Sequence, residues 1–202
     1  MNPLTSIKGS IITAFVLAVL VSIALTISGG ASIGFNAAQV GRWLHIVAGV
    51  MWIGLLYYFN VVQVPGLADA AADKGGPGGA GITKYVAPRA LWWFRWAAVV
   101  TWITGAYYLL FGFGDTAIMH KAFTLQAGFR TIGVGAWLGT IMLFNVWALI
   151  WPNQKKILGI VPATDEEKAK ARKVALLASR TNFLLSVPML MCMGGQSHGM
   201  PF

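Results

Sequence analysis

The chain has 202 residues, 57% of them hydrophobic and only 10% charged. Soluble domains carry roughly 25% charged residues, so the composition excludes an ordinary soluble fold and points to an all-α integral membrane protein, one domain over residues 1–202. The net charge of +9 would suit nucleic acid, but the basic residues lie in loops between apolar runs, which is how a membrane topology signal is distributed and argues against a nucleic-acid partner. The single cysteine, Cys192, excludes an intrachain disulfide, a CxxCH haem attachment and a CxxC zinc site.

A bilayer crossing needs about 20 largely apolar residues, and five stretches qualify, at about residues 11–28, 43–64, 91–113, 128–151 and 174–194. The first follows Lys8 and ends in small residues, as a signal peptide would. Its apolar core is longer than the roughly 7–15 residues of a signal h-region, so it reads as a true span. In the second, a helical period puts Gly41, His45, Gly49 and Trp52 on one face. Glycines one turn either side of a histidine leave room for a flat group such as a porphyrin, or serve close helix packing. Residues 66–82 are rich in Gly and Ala and read as a flexible connector.

The fourth span carries a Gly135-x-x-x-Gly139 packing surface and, deeper in, Asn145. An unsatisfied amide in hydrocarbon costs several kcal/mol, so Asn145 needs a partner on another helix. The fifth span offers Asn182 or Arg180 as that partner, and the three are grouped as one polar cluster nearer the cytoplasmic side, with Arg180 either pairing there or snorkelling to the interface. Upstream, Thr164 with Glu167 three positions on makes a capping box. Span 5 is therefore expected to begin near Asp165, as a helix running on into the membrane. Spans 2–5 should form a four-helix bundle with span 1 packed outside it.

With the N-terminus in the cytoplasm, ten basic residues fall on the cytoplasmic side (Lys8, Lys74, Lys84, Arg89, Lys155, Lys156, Lys168, Lys170, Arg172 and Lys173) against Arg42, Lys121 and Arg130 on the other. This bias predicts a multi-pass protein of the bacterial inner membrane with a periplasmic C-terminus. It also places His45, His120 and His198 toward the same outer face. Ionisable groups in or beside a membrane are expensive and default to function, and imidazole is a common ligand of haem iron, zinc and copper.

The runs RWLHIVAGVMWIGLLYYFN (42–60), WWFRWAAVVTWITG (92–105), GAWLGTIMLFNVWALIWPNQKKI (135–157) and SRTNFLLSVPMLMCMGGQSHG (179–199) resemble the membrane domain of the cytochrome c-type urate oxidases, the urate oxidase N-terminal domain family. GTIM–FNV–PNQKK is the most specific stretch. The resemblance implies an inner-membrane oxidoreductase domain that passes substrate electrons to c-type haem, with a periplasmic cytochrome c as partner. The pattern His45, Gly49, Trp52, Gly54 is also similar to copper-resistance and protoporphyrinogen-oxidase-like membrane proteins, where it accompanies haem b or metal sites. His45 is thus expected to ligate haem b, beside Gly49 and Trp52. His198, matching the family's terminal segment, would fold back over Gly194-Gly195 as second ligand, with His120 in reserve. The family tends to carry a histidine where this chain has Thr181, and its longer membrane domain and cytochrome c module have no counterpart in these residues.

Three functions compete. The first is a haem-binding, urate-oxidase-like redox protein. The second is a cofactor-free structural or assembly subunit of a larger respiratory or photosynthetic complex. The third is a copper- or haem-handling protein using His45, His120 and His198 with Met119, Met193 and Met200, a thioether–imidazole set that suits copper(I). No catalytic residue can be picked out: no nucleophile–base pair, carboxylate dyad or phosphate loop is visible in the sequence.

Overall fold

Helices account for all the regular structure in this computed structural model, which describes residues 3–201; no strand occurs among them. The chain forms two compact units, meeting in sequence at Ala37–Ala38. The first holds a short 3-10 turn, Pro3–Thr5, and the long helix α1 (Ile7–Ser28), started by Ser6, whose hydroxyl accepts from Gly9 N–H at 3.0 Å. It is apolar all round and none of its residues is buried. A helix without a polar face belongs in a membrane or a large core.

The second unit is built from α2 (Ala37–Tyr57), α3 (Val64–Ala72), α4 (Ala87–Phe111), α5 (Ile118–Phe123), α6 (Arg130–Phe144), α7 (Trp151–Ile157) and α8 (Asp165–His198). Two of these pairs are continuous rods. Residues Tyr58–Gln63 join α2 to α3, and Asn145–Ile150 join α6 to α7, each as a π-helical turn, and a third π-helical turn, Ile82–Val86, leads into α4. All three have one cause. Each is followed by X-Pro: Val64-Pro65, Ala87-Pro88 and Trp151-Pro152. Proline lacks an N–H and its ring crowds the carbonyl four residues back, and widening the turn by one residue relieves that clash. In each case the residue before the proline bonds five positions back: Val64 to Phe59, Ala87 to Ile82 and Trp151 to Val146.

Four helices are long and apolar enough to cross a membrane: α1, the α2–α3 rod, the α6–α7 rod and α8. The α2–α3 rod runs through Ala72, so the stretch read from sequence as a connector from residue 66 is helical for its first part. The run Leu67-Ala68-Asp69-Ala70-Ala71-Ala72 is a strong helix former, and tertiary continuity overrides the lone Gly66. The α8 helix starts where the capping box predicts: Thr164 Oγ accepts from Glu167 N–H at 3.2 Å, and the Glu167 carboxylate accepts from Thr164 N–H at 2.8 Å. Helix α4 has 25 residues, ample at 1.5 Å per residue, but Arg89, Arg95 and its Trp and Tyr side chains dilute its apolar character.

The core joins α2, α4, the α6–α7 rod and α8 through Trp52, Leu56, Phe94, Ala98, Met142, Val146 and Met189. Phe59 meets Phe94 edge-on, centroids 5.4 Å apart. Gly135 lies against Cys192, where an added Cβ would come within 3.1 Å of the cysteine Cβ, so the small residue sets the α6–α8 distance; Gly139 has open space beside it. Arg95 stacks over Trp151, 3.8 Å from the ring centroid. Delocalised guanidinium charge over an indole face is how a cation is kept among apolar groups.

Candidate functional site

His45 sits in the first half of α2 and faces α4. Its Nδ1 lies 2.7 Å from the Thr101 carbonyl. A carbonyl only accepts, so Nδ1 carries the hydrogen and Nε2 keeps its lone pair in the neutral ring. That tautomer is the one a metal-ligating histidine uses, with the outer nitrogen bound and the inner one held by backbone. The ring lies on Gly105, where a Cβ would come within 2.8 Å of His45 Cε1 and Nδ1. The glycines on His45's own helix do not open a gap toward α4. Tyr107 fills the space beside Gly41, an added Cβ falling 2.7 Å from its ring, and Thr101 Cγ2 lies 3.7 Å from the equivalent position at Gly49. A single ligand fits haem chemistry here; a porphyrin between α2 and α4 does not fit the space. Trp52, two turns on from His45, is 2% exposed in the core, and its indole N–H is buried with no protein partner.

The other two histidines stand elsewhere. His120 lies on α5, exposed, its carbonyl receiving Thr124 Oγ at 2.7 Å. His198 is the last residue of α8 and exposed. The expected fold-back over Gly194-Gly195 does not occur, because α8 stays helical through both glycines; the side chain lying against Gly195 is that of Met200. Gln196 ties this end of α8 to α6, accepting from Ile132 N–H at 3.1 Å and donating to Gly128 C=O at 3.1 Å. Among the described residues no group of three or more His, Cys, Asp or Glu side chains could hold a metal ion.

The polar seam of the unit lies between α8 and the two rods. Asn145 Nδ2 donates to Asn182 Oδ1 at 2.8 Å, and Asn182 Nδ2 donates to the Met142 carbonyl at 3.0 Å. Both amides are buried, 8% and 0% exposed. Arg180, grouped with them in the sequence reading, is exposed and takes no part. It is two residues from Asn182, about 200° round the helix, whereas Ser179, Asn182 and Ser186 fall on one face at i, i+3 and i+7. That face makes further contacts the sequence reading missed. Asn60 in the first π-helical turn donates to Leu56 C=O and to Ser179 Oγ, both at 2.9 Å. Ser186 Oγ bonds Phe183 C=O at 2.7 Å and the Tyr57 hydroxyl at 3.1 Å. Asn60 Oδ1, Gln63 Oε1 and Trp147 Nε1 are buried without a protein partner. The signal that would have found Asn60 was the same kind as for Asn145: an amide in an apolar run upstream of a proline, Pro65 for Asn60 and Pro152 for Asn145.

Outside the apolar segments, Asp115 closes the turn after α4. Its carboxylate accepts from Lys121 Nζ at 2.7 Å and from Ala117 N–H at 2.8 Å. The Lys121 ammonium first, and the Ala117 amide second, hold this carboxyl below the ordinary range.

The fold and seam thus define an all-helical protein with several helices able to cross a bilayer, joined by buried amides. Over the C-terminal part of the chain, residues 113–202 match the model of the urate oxidase N-terminal family, the one its motifs resemble. The matched stretch holds Asn145, Asn182, His120 and His198 and leaves out His45. No curated protein matches the chain. No solved structure matches it either.

Proposed function

We propose that the chain is a urate-oxidase-like redox protein of the bacterial inner membrane that binds haem b and exchanges electrons with a periplasmic c-type cytochrome. In this reading α4 is a fifth span beside the four more apolar ones, the N-terminus is cytoplasmic and the C-terminus periplasmic. The observation that carries it is the family match over residues 113–202. His45 adds a chemical reason, since its bond to Thr101 leaves Nε2 free for a metal. Haem b, when bound, supplies one-electron transfer. His45, through its free Nε2, would be the residue to hold the iron; His198 would be the second ligand, with His120 in reserve.

The second reading, a cofactor-free structural or assembly subunit, is favoured by the filled space at Gly41 and Gly49 and by the exposed position of His198. The third, copper or haem handling, rests on the histidines and methionines toward one end. Absorption spectra of the gently purified protein, oxidised and dithionite-reduced, separate the three. A b-type Soret band that shifts on reduction supports the first, bound copper without haem supports the third, and neither leaves the structural reading.

A further inference from the structure

Two cations, Lys84 within the π-helical turn before α4 and Arg89 in the first turn of α4 itself, have no acidic partner. Among the described residues the ion pairs involve Lys121, Lys156 and Lys168, whereas Lys84 and Arg89 make none. Lys84 Nζ lies over the Tyr85 ring, 5.4 Å from its centroid. Arg89 spends one N–H on the Tyr85 carbonyl, Nη1 to O 2.8 Å, which fixes the guanidinium while leaving its other donors unused. Directly beside them a groove of about 470 Å³ opens between α2 and α4, walled by Leu55, Tyr58, Ala90 and Trp93, with Tyr85 and Arg89 at its mouth. Trp93 is 45% exposed and meets the equally exposed Trp92 edge-on at 5.0 Å. Amphipathic rings in such pairs mark the depth where headgroups begin.

We propose that this groove binds an anionic phospholipid, one acyl chain lying along Leu55, Ala90 and Trp93 and the phosphate resting on Arg89 and Lys84. The proposal rests on the membrane reading but not on haem. An apolar cleft topped by uncompensated cations matches a lipid carrying a net negative headgroup, whose recognition by basic interhelical pockets follows from charge and apolar burial together. A second copy of the chain is a poorer occupant. A two-fold contact through this face would set Lys84 and Arg89 close to their own images, and like charges facing one another oppose docking.

The test uses the full chain, delipidated in a neutral detergent and titrated with phosphatidylglycerol or phosphatidylcholine. Retained lipid is read by native mass spectrometry, and tryptophan quenching by a brominated acyl chain gives a second measure. Phosphatidylglycerol should be retained in preference. The double variant Lys84→Gln/Arg89→Gln should lose on the order of 25-fold of that preference, about fivefold per cation, with its melting temperature unchanged. Ala90→Trp, which fills the groove, should abolish quenching by either lipid. Equal retention of the two lipids, a preference that survives the double variant, or full displacement by millimolar inorganic phosphate would overturn the proposal. So would a dimer whose dissociation tracks either variant. If the chain instead stays dispersed without any detergent, the membrane reading itself fails, a result distinct from lipid indifference in detergent.

Discussion

Replacing Asn182 by leucine removes two buried hydrogen bonds, the one accepted from Asn145 at 2.8 Å and the one given to the Met142 carbonyl at 3.0 Å. Replacing Asn145 by leucine removes only the first. Interhelical hydrogen bonds in membrane proteins average ~0.6 and reach ~1.7 kcal/mol each. Asn145→Leu should therefore lower stability by about 0.6–1.7 kcal/mol, and Asn182→Leu by roughly twice that. The two losses share a bond, so they should not add. The double variant should fall close to Asn182→Leu alone, giving a coupling of about 0.6–1.7 kcal/mol. Isosteric Asn→Leu changes also spare the remaining apolar neighbours a cavity. The assay is reversible unfolding of all four proteins in one detergent. Strict additivity of the two single changes would refute the bond as an energetic unit, whatever its geometry.

Two further outcomes follow from the interhelical contacts. Gly105→Ala puts a methyl group 2.8 Å from His45 ring atoms, so the imidazole must leave the Thr101 carbonyl. This should lower stability by about 1–3 kcal/mol, and an unchanged His45 ring environment by NMR would contradict it. For Asp115, the folded carboxyl lies below its ordinary value of 3.8. A depressed carboxylate contributes stability above the unfolded value, and that contribution is lost as pH falls through the folded one. Protection of the Ala117 amide, its exchange rate relative to the unstructured rate at the same pH, should therefore fall in the wild type only as pH drops below 3.8, and Asp115→Asn should lack that pH-dependent fall; a variant with the wild-type pH profile would refute the assignment.

Much of this was legible because it depends on single residues in strong local contrast. Thr164 and Glu167 announce the start of α8, and Asn145 and Asn182 are amides with nowhere to go but each other. Arg180 misleads because adjacency in sequence is not adjacency on a helix: two residues turn it to the opposite face from Asn182. The π-helical turns were legible in principle from Pro65, Pro88 and Pro152, each inside or at the start of an apolar helix, although a proline alone does not say whether a helix breaks, kinks or widens. The surroundings of His45 were not legible at all. Gly41 and Gly49 read as free space on one helix, and only the register of α2 against α4 shows Tyr107 and Thr101 occupying that space while Gly105 accommodates the ring. Likewise the glycine pair near His198 suggested a turn. Packing on α6 through Gln196 keeps the helix going instead.

The most direct test of the redox reading is the reduced-minus-oxidised difference spectrum of wild type beside His45→Ala and His198→Ala, each purified in the same gentle detergent. A b-type signal in the wild type that is lost or converted to high spin in His45→Ala is the predicted result. A wild type with no haem absorbance and no bound metal, or a haem signal unchanged in both variants, would contradict it.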